Sequence, residues 1–156
     1  MIQNILSYFK LKIILKDFNE IVLDKELLDN LRKLTLSFSS GMNYEMDNIL
    51  KTIQIRPVKS RALLAYEFNK LVGWALLSEE SSDYSFFYSH GGFSPQRDGV
   101  LFQIYIHPDH RRKGIGSKLL NKAKRLVGEK TLSVCPWDTN STHFFNRFHD
   151  LGLNKF

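Results

Sequence analysis

Residues 100–127 read VLFQIYIHPDHRRKGIGSKLLNKAKRLV and contain an apolar run, a basic loop with two glycines and an amphipathic run. The apolar run 100–106 predicts a β-strand, and Pro108 ends it because proline cannot donate to a sheet ladder. Residues 114–127 predict a helix with one apolar stripe, and Gly128 is placed to end it as a C-cap. The basic loop therefore lies between a strand exit and a helix start.

This loop, residues 111–117, has the features of an anion-binding site. The first amides of a helix have no intrahelical partner, and the helix dipole stabilises a nearby negative charge by about 0.3–1 kcal/mol. Gly114 and Gly116 remove side chains that would keep a phosphate from the backbone. Their spacing excludes the phosphate loop of nucleotide hydrolases, and Leu119 stands where the dinucleotide fingerprint needs a third glycine. The pattern predicts a pyrophosphate site.

Apolar periodicity predicts further elements on both sides of this segment. The predicted strands are 11–15, 62–68, 71–77 and 131–134, and the predicted helices are 25–38, 44–53 and 141–151. Asn69 and Lys70 join two strands as a tight hairpin, and Asn140 or Ser141 caps the last helix. Residues 81–95 are expected to form a long surface loop. Strands on either side of a helix lie parallel, whereas the hairpin is antiparallel.

Composition limits the class of protein. The 156 residues, 43% of them hydrophobic, suffice for one core, so we predict a single α/β domain over residues 1–156, with a mixed, mostly antiparallel central sheet flanked by helices. No apolar run is long enough to span a membrane and no signal-cleavage pattern is evident, which favours a cytoplasmic protein. One cysteine, Cys135, and five scattered histidines predict no metal site. The net charge of +6 favours anionic partners.

The run Arg111-Arg112-Lys113-Gly114-Ile115-Gly116 resembles the CoA-binding motif of the GNAT superfamily of N-acetyltransferases: Gln or Arg, two residues, Gly, one residue, then Gly or Ala. QIYIHP at 103–108 and LVGWA at 71–75 are similar to that family's strands before the motif, and the resemblance covers residues 61–153. It implies a GNAT-like fold, acetyl-CoA as co-substrate, and direct transfer of the acetyl group to an amine.

The resemblance also implies which residues bind acetyl-CoA. Backbone groups of Ile104 and Ile106 would pair with the pantetheine arm as an added strand does, and an N–H near Ile106 would stabilise the oxyanion. Asn140 would lie near the same arm. The implied cofactor-binding residues are Ile104, Tyr105, Ile106, Arg111, Arg112, Lys113, Gly114, Ile115, Gly116, Ser117 and Asn140.

The catalytic groups usual in that family are not evident here. The carboxylate position falls at Phe102 or Gln103, and the tyrosine position falls at Phe148 or Arg147, depending on the direction of counting. A lysine amine with a pKa near 10.4 is only about 1 part in 2,500 neutral at pH 7, whereas an α-amine is roughly a tenth neutral. A site poor in bases therefore favours an amine of low pKa. The replacement candidates are Gln103, Tyr105, His107 and His143.

The acceptor class stays open among a small molecule, a peptide and an RNA-borne amine, and so does the length of the acyl group. Two other functions are compatible with the sequence. One is a catalytically weak acyl-CoA sensor or interaction protein, because the usual acid and base are missing. The other is a nucleic-acid-binding module that uses the basic helix face 118–125. No membrane partner is expected, and a homodimer is one way to complete an acceptor site left short after Gly152.

Overall fold

The computed structural model describes residues 11–36, 60–78, 98–129, 131–134, 139–148 and 151–153. The strands are β1 (Leu11–Asp17), β2 (Ser60–Glu67), β3 (Lys70–Ser78), β4 (Asp98–Ile106), β5 (Thr131–Val134) and β6 (Leu151–Leu153). The helices are α1 (Phe18–Leu23), α2 (Lys25–Leu36), α3 (Ile115–Val127) and α4 (Thr139–Asn146), with a short 3-10 turn at Pro108–His110.

The strands form one sheet in the order β1-β2-β3-β4-β5-β6. The three pairs from β1 to β4 are antiparallel, and the pairs β4–β5 and β5–β6 are parallel. The parallel pair β4–β5 is the one joined through α3, as expected for a strand-helix-strand crossover. The predicted mixed, mostly antiparallel sheet flanked by helices is therefore confirmed.

Each face of the sheet carries its own apolar core. On one face, α1 and α2 pack against β2 to β4, and Phe18, Ile21 and Leu31 lie against Trp74 and Tyr105. The opposite face is covered by α3 and α4, whose buried residues include Ile115, Leu119, Leu120, Ala123, Val127 and Phe145. We call these the α1/α2 face and the α3/α4 face.

The junction before α2 explains how the first two helices turn onto the sheet. The Asp24 Oδ1 atom accepts a hydrogen bond from the Leu27 amide at 3.0 Å, which satisfies one of the unpaired donors of the first turn of α2. Asp24 also faces Tyr66 in β2. Burial raises the pKa of the Tyr66 hydroxyl, and the negative charge of Asp24 raises it further. The capping residue Asp24 therefore lies close to β2, one of the strands that α2 covers.

The hairpin between β2 and β3 is confirmed, but its turn is one residue earlier than predicted. Phe68 and Asn69 are the turn residues, with φ of 49° and 65°, and Lys70 already belongs to β3, paired with Glu67. Two left-handed residues are typical of the type I′ turn, whose twist matches that of the strands. The turn therefore places Glu67 at the end of β2.

The C-terminal part of the fold corrects two predictions. Helix α4 begins at Thr139, so Asn140 and Ser141 lie in its first turn and are not its caps. The helix ends at Asn146, and Leu151 opens β6 instead of continuing it. The amides of Arg147 and Phe148 bond to carbonyls three residues earlier, at 3.4 and 3.0 Å, which tightens and ends the helix.

Three predictions fall on residues that the structure does not describe. The helix at 44–53, the loop at 81–95 and Cys135 lie outside the described residues. The short helix α1 was not predicted at all. No helix within the described ranges has the length and apolarity that a membrane crossing requires.

Candidate functional site

The edge of β4 that faces β5 is only partly covered. β4 pairs with β3 from Val100 to Ile106, but it pairs with β5 only over its first four residues, 98–101. Within the described residues, the segment 102–106 therefore has a strand partner on one edge alone. A strand edge without a partner presents backbone donors and acceptors to any extended group laid beside it.

The alternation of antiparallel pairing shows which backbone groups face this open edge. The amide of His107 donates to the Val72 carbonyl at 2.8 Å, so His107 faces β3. Because bonded and non-bonded residues alternate, Ile104 and Ile106 direct their backbone groups away from β3. The Ile106 carbonyl accepts a bond from Arg111 Nε at 2.8 Å, which agrees with that direction. The two residues predicted to pair with a ligand thus face the open edge.

The first turn of α3 supplies a set of free amides beside this edge. The first helical bond runs from the Lys118 amide to the Gly114 carbonyl at 3.1 Å. The amides of residues 114–117 donate to no carbonyl of the described chain. Gly114 has φ of 80°, a left-handed conformation that favours glycine, and no atom lies within 4 Å of where its Cβ would be. Gly114 therefore sets the path of the backbone into the helix.

Gly116 also has a packing role that was not predicted. A Cβ at this position would lie 3.3 Å from two ring carbons of Phe144 and 3.9 Å from Ile106 Cγ1. This glycine therefore lets the first turn of α3 approach α4 and the end of β4 closely. The result places the free amides of α3 next to the open edge of β4, with Asn140 one turn before Phe144 in α4.

The basic side chains of the loop are partly held by the protein itself. Besides bonding the Ile106 carbonyl, Arg111 places its guanidinium carbon 5.7 Å from the centre of the Tyr105 ring. Lys113 Nζ lies 3.8 Å from Glu67 Oε1. Arg112 is exposed and has φ of 61°, a strained conformation for a residue with a side chain. Glu67 was not predicted as part of the site, because no sequence pattern links it to His110, its hydrogen-bond partner 43 positions later.

The candidate catalytic side chains do not converge. Tyr105 is buried in the core of the α1/α2 face, and Gln103 points to the same face because it pairs with Leu76. His143 is exposed on α4, which covers the opposite face. The Nδ1 atom of His107 accepts a hydrogen bond from the Asp109 amide at 3.2 Å, so a neutral His107 ring carries its proton on Nε2.

Substitutions of Gln103 test whether its side chain is buried in the α1/α2 face. The residue is 7% exposed, and its amide nitrogen and oxygen have no hydrogen-bond partner among the described residues. Because a buried unpaired polar group costs about 1–3 kcal/mol, Gln103→Met is expected to raise the free energy of unfolding by about 1 kcal/mol in urea titrations. The matched variant Gln103→Glu should lower it, because it buries a carboxylate. A loss of stability in Gln103→Met would show that the amide has a partner in solution.

Metal chemistry receives no support from the described side chains. Within residues 11–36, 60–78, 98–129 and the shorter described segments after them, no three His, Cys, Asp or Glu side chains are grouped as metal ligands. The chemistry that the site offers comes from peptide amides, a strand edge and positive charge. Those groups fit an extended ligand that carries an anionic diphosphate at one end.

Comparison with known proteins places this geometry in a family. Residues 27–150 match the family model described as Acetyltransferase (GNAT) family. The chain is 32% identical over 97 residues to an L-methionine sulfoximine/L-methionine sulfone acetyltransferase of Salmonella typhimurium, covering 56% of this chain and 55% of that protein. It is 38% identical over 68 residues to the L-amino acid N-acyltransferase MnaT of Escherichia coli, covering 41% and 38%. The chain thus spans about half or less of the curated relatives that it matches.

Solved structures share the fold at low sequence identity. The structure of AAC(6')-Iy in complex with the bisubstrate analogue CoA-S-monomethyl-acetylneamine has a TM-score of 0.61 at 16% identity, covering 93% of this chain and 95% of that one. A ribosomal-protein-alanine N-acetyltransferase from Brucella melitensis biovar Abortus 2308 has a TM-score of 0.57 at 17% identity, covering 88% and 89%. These similarities establish the fold.

Proposed function

Because the chain belongs to the GNAT family of acetyltransferases, we propose that it transfers the acetyl group of acetyl-CoA directly to an amine. The observation that carries this proposal is the free amides of residues 114–117 beside the open edge of β4. Acetyl-CoA carries a diphosphate, an extended pantetheine arm with two amides, and a thioester at the far end. Each of the first two parts has a matching protein surface.

The diphosphate is assigned to the start of α3. Amides from Arg112 to Ser117 are its proposed donors, and exposed Arg112 is the basic side chain best placed to reach a further phosphate. The pantetheine arm is assigned to Ile104 and Ile106. The Ile106 carbonyl already accepts a bond from Arg111 but has a second lone pair, so the arm has both Ile106 groups and the Ile104 carbonyl as its proposed partners.

The acetyl group then lies near the end of this edge. When bound, acetyl-CoA supplies an activated acyl carbon and a thiolate leaving group. The Ile104 amide faces the open edge further from the start of α3 than Ile106 does, and it is the proposed donor to the oxygen that becomes negative as the amine attacks. The attacking nitrogen must lose a proton, and the departing sulfur must gain one. His107, Tyr105 and His143 remain candidates for the groups that move these protons.

The acceptor is proposed to carry an α-amine. The two curated relatives are described as acting on L-amino acids and on L-methionine sulfoximine or sulfone, all of which have such an amine. This choice also suits the site, because an α-amine needs less help from a base than a lysine side chain does. We further propose that the reaction takes place in the cytoplasm and needs no metal.

Calorimetry with acetyl-CoA, followed by detection of free thiol with pooled amines, peptides and RNA, tests the proposal. We expect micromolar binding of acetyl-CoA and release of CoA thiol in the presence of small α-amino compounds. Binding without thiol release for any amine would favour the acyl-CoA sensor. Salt-dependent binding of RNA or DNA without binding of acetyl-CoA would favour the nucleic-acid module.

The basic face of α3 gives little support to the nucleic-acid alternative. Lys122 Nζ lies 3.5 Å from the Ile13 carbonyl of β1, and Lys124 Nζ lies 5.9 Å from the centre of the Phe148 ring. Both side chains are half-buried and contact the protein itself. Arg125 Nε bonds to the Asn121 carbonyl at 3.5 Å. Of the four cations in segment 118–125, Lys118 and Arg125 are exposed. A nucleic-acid surface needs a larger set of cations directed into solvent.

A comparison of amines at fixed pH tests the acceptor class. At pH 7, an α-amine is expected to react about two orders of magnitude faster than the side-chain amine of Nα-acetyl-lysine, because that is roughly the ratio of their neutral fractions. The advantage should shrink as the pH rises towards 10. Initial rates of thiol release between pH 6 and 10 measure this. Rates confined to lysine side chains at neutral pH would contradict the proposal.

A further inference from the structure

Glu67, the last residue of β2, places a buried carboxylate beneath the basic loop. The residue is 7% exposed. Its Oε2 atom lies 2.9 Å from His110 Nδ1, and its Oε1 atom lies 3.8 Å from Lys113 Nζ. One side chain of the sheet thus contacts the loop at two points, which lie on either side of Arg111 and Arg112.

The two contacts differ in strength. The 2.9 Å distance to His110 Nδ1 is that of a direct hydrogen bond, which an ionised Glu67 accepts when this nitrogen carries a proton. The Lys113 contact is longer, and that side chain is 45% exposed. An ion pair at this distance with one exposed partner is expected to hold less firmly than a direct hydrogen bond between buried groups. The hydrogen bond to His110 is therefore the main contact that fixes the loop, and the Lys113 ion pair is a second, weaker contact.

The loop needs such a hold because its backbone is strained. Arg112 has φ of 61°, and left-handed backbone costs an ordinary residue about 1–2 kcal/mol. Glu67, by contrast, is fixed by the sheet, since it pairs with Leu11 of β1 and with Lys70 across the type I′ turn. His110 is further supported by the ring of His107, at 5.6 Å between ring centres. The sheet thus fixes Glu67, and Glu67 in turn fixes the position of the loop.

We propose that Glu67 is a positioning residue that holds the loop, through His110 and Lys113, in the conformation that receives the diphosphate. This inference rests on the proposed binding of acetyl-CoA at the start of α3. Glu67 is not expected to contact the substrate itself. It acts on donor binding and leaves the chemical step unchanged.

The variant Glu67→Gln removes the charge at constant shape, and Glu129→Gln, in the exposed segment after α3, is the matched control. In Glu67→Gln we expect the KM for acetyl-CoA to rise about tenfold, a typical coupling within one hydrogen-bonded network, with kcat within about twofold of wild type. His110→Phe should have a similar effect. The double variant should be no worse than either single one, because both remove the same hold.

A second measurement needs no acetyl-CoA. In amide spectra of the ligand-free protein, Glu67→Gln should shift or broaden the Gly114 and Lys113 signals, whereas Glu129→Gln should leave them unchanged. If wild type binds no acetyl-CoA, the proposed function fails while these spectra still decide whether Glu67 positions the loop. Loop signals and acetyl-CoA affinity both equal to wild type in a folded Glu67→Gln protein would overturn the inference.

Discussion

Gly116→Asp is expected to weaken acetyl-CoA binding by at least about 100-fold, because two like charges some 4 Å apart repel by about 4 kcal/mol at the effective dielectric of a protein surface. The new carboxylate would stand in the first turn of α3, among the amides assigned to the diphosphate. The fold should persist, since an acidic residue near a helix N-terminus is favourable in itself. Isothermal titration with acetyl-CoA measures the loss, and a thermal melt confirms that the variant is folded.

Gly116→Ala separates charge from shape. Any Cβ at this position meets the Phe144 ring at 3.3 Å, so both variants press α3 away from α4 to a similar extent. If the amides bind the diphosphate, alanine should cost no more than about fivefold in affinity, less than 1 kcal/mol, because it adds no charge. Equal losses in the two variants would mean that packing against Phe144 governs binding. Unchanged affinity in Gly116→Asp would refute the site.

The location of the candidate site was predictable from the sequence, but the protein groups that its cations contact were not. The two glycines between a strand and a helix predicted exposed amides at that point, and the structure has them there. The sequence also showed three consecutive cations and suggested that all could meet phosphates. In the structure, Arg111 and Lys113 also contact Ile106 and Glu67. A sequence shows that a cation is present, whereas its partner depends on which strand ends nearby.

The same limit explains the errors in the predicted fold. Apolar spacing predicted the long elements well, because the buried residues repeat over about two turns in α2 and about three turns in α3. Helix α1 has only two buried residues, Phe18 and Ile21, directly after a strand, which is too short a pattern to separate from it. Leu151 continued the helical spacing of Phe144 and Phe148, although the chain had already left the helix. Periodicity does not mark where hydrogen bonding ends.

The arrangement of the loop also bears on how donor affinity arises. Because Arg111 and Lys113 contact the protein, we propose that the amides of α3 are the principal groups for the diphosphate. Amides fixed by a helix need no side-chain ordering when a ligand binds, which reduces the entropic cost of association. Their position depends on how firmly α3 is packed onto the sheet. The packing of α3 is therefore part of the binding site.

Leu119→Ala is expected to lower the free energy of unfolding by about 3 kcal/mol, within the range of 2–5 found for buried leucines, because it leaves a cavity under α3. Leu119 is fully buried among residues of the α3/α4 face, one turn beyond the free amides. Urea titration measures the change. It is monitored by tryptophan fluorescence, to which the buried Trp74 contributes. Acetyl-CoA should also bind more weakly, since the cavity loosens the helix that presents the amides.

Leu23→Ala is the matched control, because it makes the same chemical change at the end of α1, where the leucine is 85% exposed. Its effect should stay within about 0.5 kcal/mol, as is usual for surface positions. The difference between the two variants measures the contribution of the packing beneath α3, with leucine-to-alanine chemistry held constant. If both lose the same stability, the core beneath α3 is not closely packed in solution. The helix would then be too loosely held to fix the amides, and the assigned diphosphate site would lose its physical basis.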